Sequence, residues 1–229
     1  MCFSANASFG AGIVLTVIGI AAIRKTQHPS QIPFACIPLL FALQQIAEGI
    51  LWKILPNGGD TSLQLLATNI YIIFAQIFWP LWVPVAILLV EKHATRRKYQ
   101  KILVGVGMIV SMYFFYCFLF YNVRAKIEGH HISYLQDYPA TLNYYAGAFY
   151  IIATVAPPFF SHIKKMWLLG LTIVISYIIS QIFYEHYIVS VWCFFASIIS
   201  ISVYIIILEL KNAQAKVVNF SDPKSVVIS

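Results

Sequence analysis

The chain has 229 residues; 60% are hydrophobic, 10% are charged, and the formal net charge is +7. About a quarter of the residues in a soluble domain are charged, so this composition excludes an ordinary soluble fold, and seven apolar stretches take up almost the whole length. The basic excess does not indicate a nucleic-acid partner, because the Lys and Arg residues sit in short connections between those stretches, where they set topology and meet anionic headgroups.

In chain order the apolar stretches predict spans at Ala7–Ile23, Ile32–Leu55, Leu63–Val90, Ile102–Tyr121, Leu142–Phe160, Met166–Tyr184 and Ile188–Leu210. The third is long enough to tilt, or to bend at Pro80 and Pro84. Pro157-Pro158 should kink or end the fifth. The first is not expected to be a cleavable signal, because its positive charges, Arg24 and Lys25, follow it. Twelve of the fifteen Lys and Arg residues fall in alternate connections that this bias places inside; only Lys53, Arg124 and Lys126 fall outside. That split predicts an external N-terminus and an internal C-terminus. The expected fold is therefore an all-α integral membrane protein: a bundle of seven transmembrane helices over 1–210, then a polar cytoplasmic tail at 211–229. The longest connection, 122–141, reads as an outer loop, and Pro56–Asp60 reads as a turn.

Polar residues inside the spans are costly in a bilayer and are therefore the candidates for function. Glu48 lies in the second span, with Gln44 and Gln45 one turn before it on the same side and Trp52 one turn after. The third span carries Asn69 and Gln76, seven apart. The sixth carries Ser176, Ser180 and Tyr184 at four-residue steps, with Gln181 beside them. The seventh carries Ser190, Cys193, Ser197, Ser200 and Tyr204 at helical spacing. Such stripes line polar cavities, and they also form packing seams between membrane helices. Glu48 can serve as a ligand anchor or a proton site, or as a protonated group that ties helices together. The candidate ligand-binding set is Glu48, Gln44, Gln45, Asn69, Gln76, Gln181 and Ser197.

A metal centre is the alternative. His130, His131 and His186 fall on the outer side, with Glu128, Asp137 and Glu185 near them, so a divalent metal such as Zn could draw on these histidines and a carboxylate, Glu48 included. No His-Glu-x-x-His or Cys-x-x-Cys spacing accompanies them. The four cysteines do not make a disulfide framework. Cys2 would become a terminal thiol and amine together if Met1 were removed, a potential nucleophile.

Several seven-span classes are disfavoured. A retinal Schiff base needs a Lys midway along span seven, where there is none. Glu91-Lys92-His93 follows span three, in place of an Asp-Arg-Tyr-like motif. The Ser, Asp and three-His set of ceramidase-type hydrolases is not present in the spans. The opening Met1-Cys2-Phe3-Ser4-Ala5, the Gln44-Gln45-x-x-Glu48-Gly49-x-x-Trp52 segment, Trp79-Pro80 and Ser190-Val191-Trp192-Cys193-Phe194-Phe195 are similar to an uncharacterised family of small bacterial membrane proteins. The resemblance implies a protein of the bacterial cytoplasmic membrane and brings no activity with it.

Three functions are consistent with these residues. The first is a transporter- or sensor-like protein, with an outward-opening polar cavity around Glu48 for a small molecule or a coupling proton. The second is a metal-dependent hydrolase or transferase acting on lipid at the outer leaflet. The third is an accessory membrane subunit without its own chemistry. No catalytic residue is identified, and the partners expected are the bilayer and an unknown small molecule or lipid.

Overall fold

The computed structural model describes residues 4–58, 61–129, 131–183 and 195–221. Seven helical segments lie where apolar spans are expected, and five are long and apolar enough to cross a membrane. Helix α1 (Ala5–Arg24) starts at Ser4, whose hydroxyl accepts the N–H of Ala7 at 3.3 Å. Such a cap satisfies one of the four N–H groups that every helix start leaves open. Its buried stripe of Ser8, Ala11, Gly12, Leu15, Gly19 and Ala22 packs along the second segment. The approach is close. A Cβ on Gly19 would lie 2.6 Å from the Leu39 side chain, and one on Gly49 would lie 2.9 Å from the Phe9 ring. Small residues permit such backbone proximity where lipid supplies no hydrophobic drive between helices.

The second segment is divided by Pro33 and Pro38 into α2 (Ile32–Ala35) and α3 (Ile37–Ile54). The third is divided differently. Helix α4 (Thr61–Ile72) passes through a π-helical stretch, Ile73–Phe78, into α5 (Trp79–Val90). Pro80 has no N–H to offer the carbonyls one turn behind it, and side chains from other helices take up the carbonyls of this stretch. The Tyr150 hydroxyl donates to the Ala75 carbonyl at 2.7 Å, and the Ser111 hydroxyl to that of Ile77 at 2.6 Å. Gly107 lies directly against the Pro80 carbonyl. The expected bend at the prolines is thus a change of winding just before them.

Helix α6 (Ala94–Phe120) begins eight residues before the predicted Ile102, because its first two turns are basic. The connection read as a loop forms a β-hairpin, β1 (Val123–Glu128) and β2 (His131–Gln136), antiparallel with Val123 opposite Gln136. Gly129, at φ 62°, takes the first position of the two-residue turn, where primed turns need a positive φ. The hairpin packs Ala125 and Ile132 onto Leu51 and Ala67, and it stacks Tyr134 on Tyr71 with centroids 4.5 Å apart. The fold is therefore helical in its span segments, as expected, with one small hairpin in a connection.

Helix α7 (Ala140–Phe159) carries Pro157-Pro158 in its last turn, so the prolines end it. Helix α8 (Met166–Phe183) follows, and α9 (Ala196–Ser221) runs on past Lys211, where the polar tail was expected to begin. The main core gathers Phe34, Trp79, Ile87, Met166, Leu169 and Ile206.

At the basic end of the bundle the chain is tightly tied. Glu91 is 1% exposed. Its carboxylate accepts the backbone N–H of His93 at 2.9 Å, that of His162 at 2.7 Å and the Ser161 hydroxyl at 2.8 Å. Arg97 donates to the carbonyls of Leu88 and Glu91, and Gln100 donates to that of Pro157 at 2.8 Å. Burial pushes the Glu91 carboxyl up, but the three hydrogen bonds and the neighbouring His162 outweigh it and hold it below the usual carboxylate range.

Candidate functional site

A cavity of about 660 Å³ lies inside the bundle, walled by α3, the π-helical stretch, α5, α6, α7, α8, α9 and the end of the hairpin. That volume falls within the range of small-molecule sites. Ile37, Phe41, Val83, Leu169, Ile173 and Ile199 line its basic-end half; Gln76, Gln136, Tyr144 and Gln181 lie toward the hairpin end. No charged side chain lines it among the described residues.

The polar groups of the wall divide into two kinds. Trp79 donates its indole N–H to Gln44 Oε1 at 2.9 Å, and Thr154 donates to the Tyr150 carbonyl at 2.9 Å. With the Tyr150 hydroxyl spent on Ala75, these tips are satisfied within the protein. The pair at the hairpin end is not. Gln76 Nε2 donates to Gln136 Oε1 at 2.9 Å, which leaves Gln76 Oε1 and Gln136 Nε2 buried without a partner. Exchanging the O and N of both amides changes nothing of substance: one donor and one acceptor stay open side by side. A buried amide atom without a partner costs about 1–3 kcal/mol, and binding sites are where such a cost is commonly met.

Of the expected ligand-binding residues, Gln76 and Gln181 line the cavity, and Gln44 stands behind its wall through Trp79. Glu48 is fully buried on α3, one turn beyond Gln44, and is not part of the lining. Gln45 is equally buried, with both amide atoms unpartnered, and faces α1: a Cβ on Gly12 would lie 3.9 Å from its own. Asn69 and Ser197 are half-buried and also lie apart from the cavity. Gln136, Tyr150 and Thr154 belong to the site and were not expected. Gln136 had a signal available, as the only amide at the end of a run that alternates as a strand does.

Of the metal candidates, His131 opens β2 opposite Glu128. His130, His186 and Glu185 lie outside the described residues, as do Cys2, Tyr184, Ser190, Trp192 and Cys193. Among the described residues no three His, Cys, Asp or Glu side chains come together to hold a metal ion, so the metal centre has no support there. Beside the hairpin, burial pushes the Tyr138 phenol up to about 12, with Cys117 contributing less. That phenol stays protonated at any ordinary pH.

A family model matches residues 1–218, that of a family of unknown function (DUF6629), and the chain belongs to that family. No curated protein and no solved structure matches the chain.

Proposed function

For this member of a family of unknown function, we propose an integral membrane protein that binds a small molecule in its central cavity, in the service of transport or sensing. The observation that carries the reading is the open donor and acceptor of Gln76 and Gln136, buried in a mostly apolar cavity. The five long apolar helices and the asymmetry of the basic residues support insertion with the N-terminus outside, in a bacterial cytoplasmic membrane. In this orientation the hairpin lies on the outer side and the Glu91 cluster on the inner side.

Glu48 keeps a part in this reading, at one remove. It shares a face of α3 with Gln44, and Gln44 fixes the indole of Trp79 in the cavity wall. It acts on the wall's shape, and the ligand contacts fall to Gln76 and Gln136.

The test compares the molecules that stay with the protein through purification. Gly147 lines the cavity, and a Cβ there would meet nothing within 4 Å, so Gly147→Leu starts a bulky side chain from open space in the wall. Solvent extracts of the wild type and this variant are compared by mass spectrometry. The expected result is a species held by the wild type and absent from the variant, with both proteins melting alike. Identical extracts would overturn the reading.

A further inference from the structure

We propose that the cavity is an acyl-chain site: a neutral single-chain amphiphile enters it sideways between α7 and α8 and docks its head on the Gln76–Gln136 pair. The inference rests on the cavity reading above and names its ligand class.

Shape is the first argument. The α8 side chains in the wall are Leu169, Ile173, Tyr177 and Gln181, one face over thirteen residues, whose twelve helical rises come to about 18 Å. Those of α7 run from Tyr144 to Thr154, about 15 Å. One leaflet of the hydrocarbon core is about 15 Å deep. The cavity is thus as long as a lipid chain and parallel to it.

Polarity is the second. The open hydrogen-bonding atoms sit at the hairpin end, and the opposite end is formed by Ile37, Val83, Leu169 and Ile173. With no charged side chain in the lining among the described residues, an ionised head would be desolvated without compensation. A head with both a donor and an acceptor, such as a primary amide or a hydroxyl, satisfies both open amide atoms at once.

Access is the third. Near the basic end α7 and α8 touch closely: a Cβ on Gly170 would lie 2.7 Å from the Phe159 ring. Toward the hairpin end the lining residues Tyr144 (77% exposed), Ala148 and Gln181 are open to the outside. The exposed lining residues make this the entry side, which the proposed orientation turns to the outer leaflet. A chain can slip in from the lipid without crossing water.

The test uses the full-length protein exchanged into amphipol and titrated with n-alkyl primary amides of about eight to sixteen carbons, lengths that bracket one leaflet. n-Alkyltrimethylammonium and n-alkyl phosphate serve as charged comparators, and 2-naphthol as a compact neutral ring. The melting temperature reports binding. Affinity for the amides should rise about fourfold per methylene and level off once the chain reaches about 15 Å. Charged heads should bind about tenfold more weakly or worse. Gln76→Leu should weaken the amides about tenfold, and Gly147→Leu should abolish their binding. Equal binding of charged heads, no dependence on chain length, or binding that survives Gly147→Leu would each overturn the inference. If 2-naphthol binds and Gly147→Leu blocks it while no amide responds, the acyl-chain inference falls and the cavity reading stands. If the wild type responds to no probe at all, both fall.

Discussion

The two ends of the bundle differ in how they treat a polar group: a carboxylate at one is fully tied, an amide pair at the other is left half open. At the basic end the carboxylate and three carbonyls are served: Glu91 takes three hydrogen bonds, Arg97 serves two carbonyls, and Gln100 closes the carbonyl of Pro157, with its own Oε1 left over. Nearer the hairpin, Gln76, Gln136 and Gln45 are buried with amide atoms left open. Both arrangements are costly to build, and they yield different things. A tied carboxylate locks two connections into one unit and contributes stability. An open pair contributes none and holds its hydrogen bonds for a molecule that arrives later. The contrast assigns the basic end to holding the bundle together and the hairpin end to recognition.

Mutations that separate stability from binding break or sharpen this contrast. The largest loss of stability is expected from Glu91→Ala, which strands three donors and should cost about 3 kcal/mol, read as a fall in melting temperature. The same group predicts an acid limb. Its carboxyl is held below the usual range in the folded protein, so the stability it contributes is complete above the unfolded-state value, about pH 4.3. That stability is lost as pH falls through the depressed value. Melting temperature against pH should show this limb in the wild type and lose it in Glu91→Gln. Tyr150→Phe comes next, because it leaves the Ala75 carbonyl without its donor; about 1 kcal/mol is expected, again by melting. Gln76→Leu is expected to change stability least, because it removes one unsatisfied atom, Gln76 Oε1, and strands one in exchange, Gln136 Oε1. A fall of the Glu91→Ala size in Gln76→Leu would erase the distinction between the two ends.

Much of the architecture was readable from local pattern. Seven apolar stretches became seven helical segments because a run of apolar residues of that length has few other ways to satisfy its backbone. Proline marked the end of α7 for a local reason, the missing N–H, whereas the break at Cys36 was not expected. The hairpin was harder. Val123, Ala125 and Ile127 alternate with Arg124, Lys126 and Glu128, and Gly129 punctuates the two runs, yet polar content alone reads this stretch as a loop. The site was least legible. Gln136 meets Gln76 across sixty residues of chain, and no spacing within either segment announces a partner that far away. Glu91 looked like part of a loop motif, and only the approach of Ser161 and His162 gives it its role.

The π-helical stretch has a consequence for every stripe drawn along the third segment. Asn69 and Gln76 are seven apart, two turns of a regular helix, and one wheel would put them on a common side. A π turn holds more residues than an α turn, so the chain rotates by less at each step through Ile73–Phe78. Gln76 swings into the cavity while Asn69 stays outside it. The segment is in effect two helices out of phase, joined by a fixed angular offset. Removing one residue from the offset should turn the Asn69 side of α4 relative to Trp79 by roughly a quarter of a revolution, sending a different face of the same sequence toward the ligand.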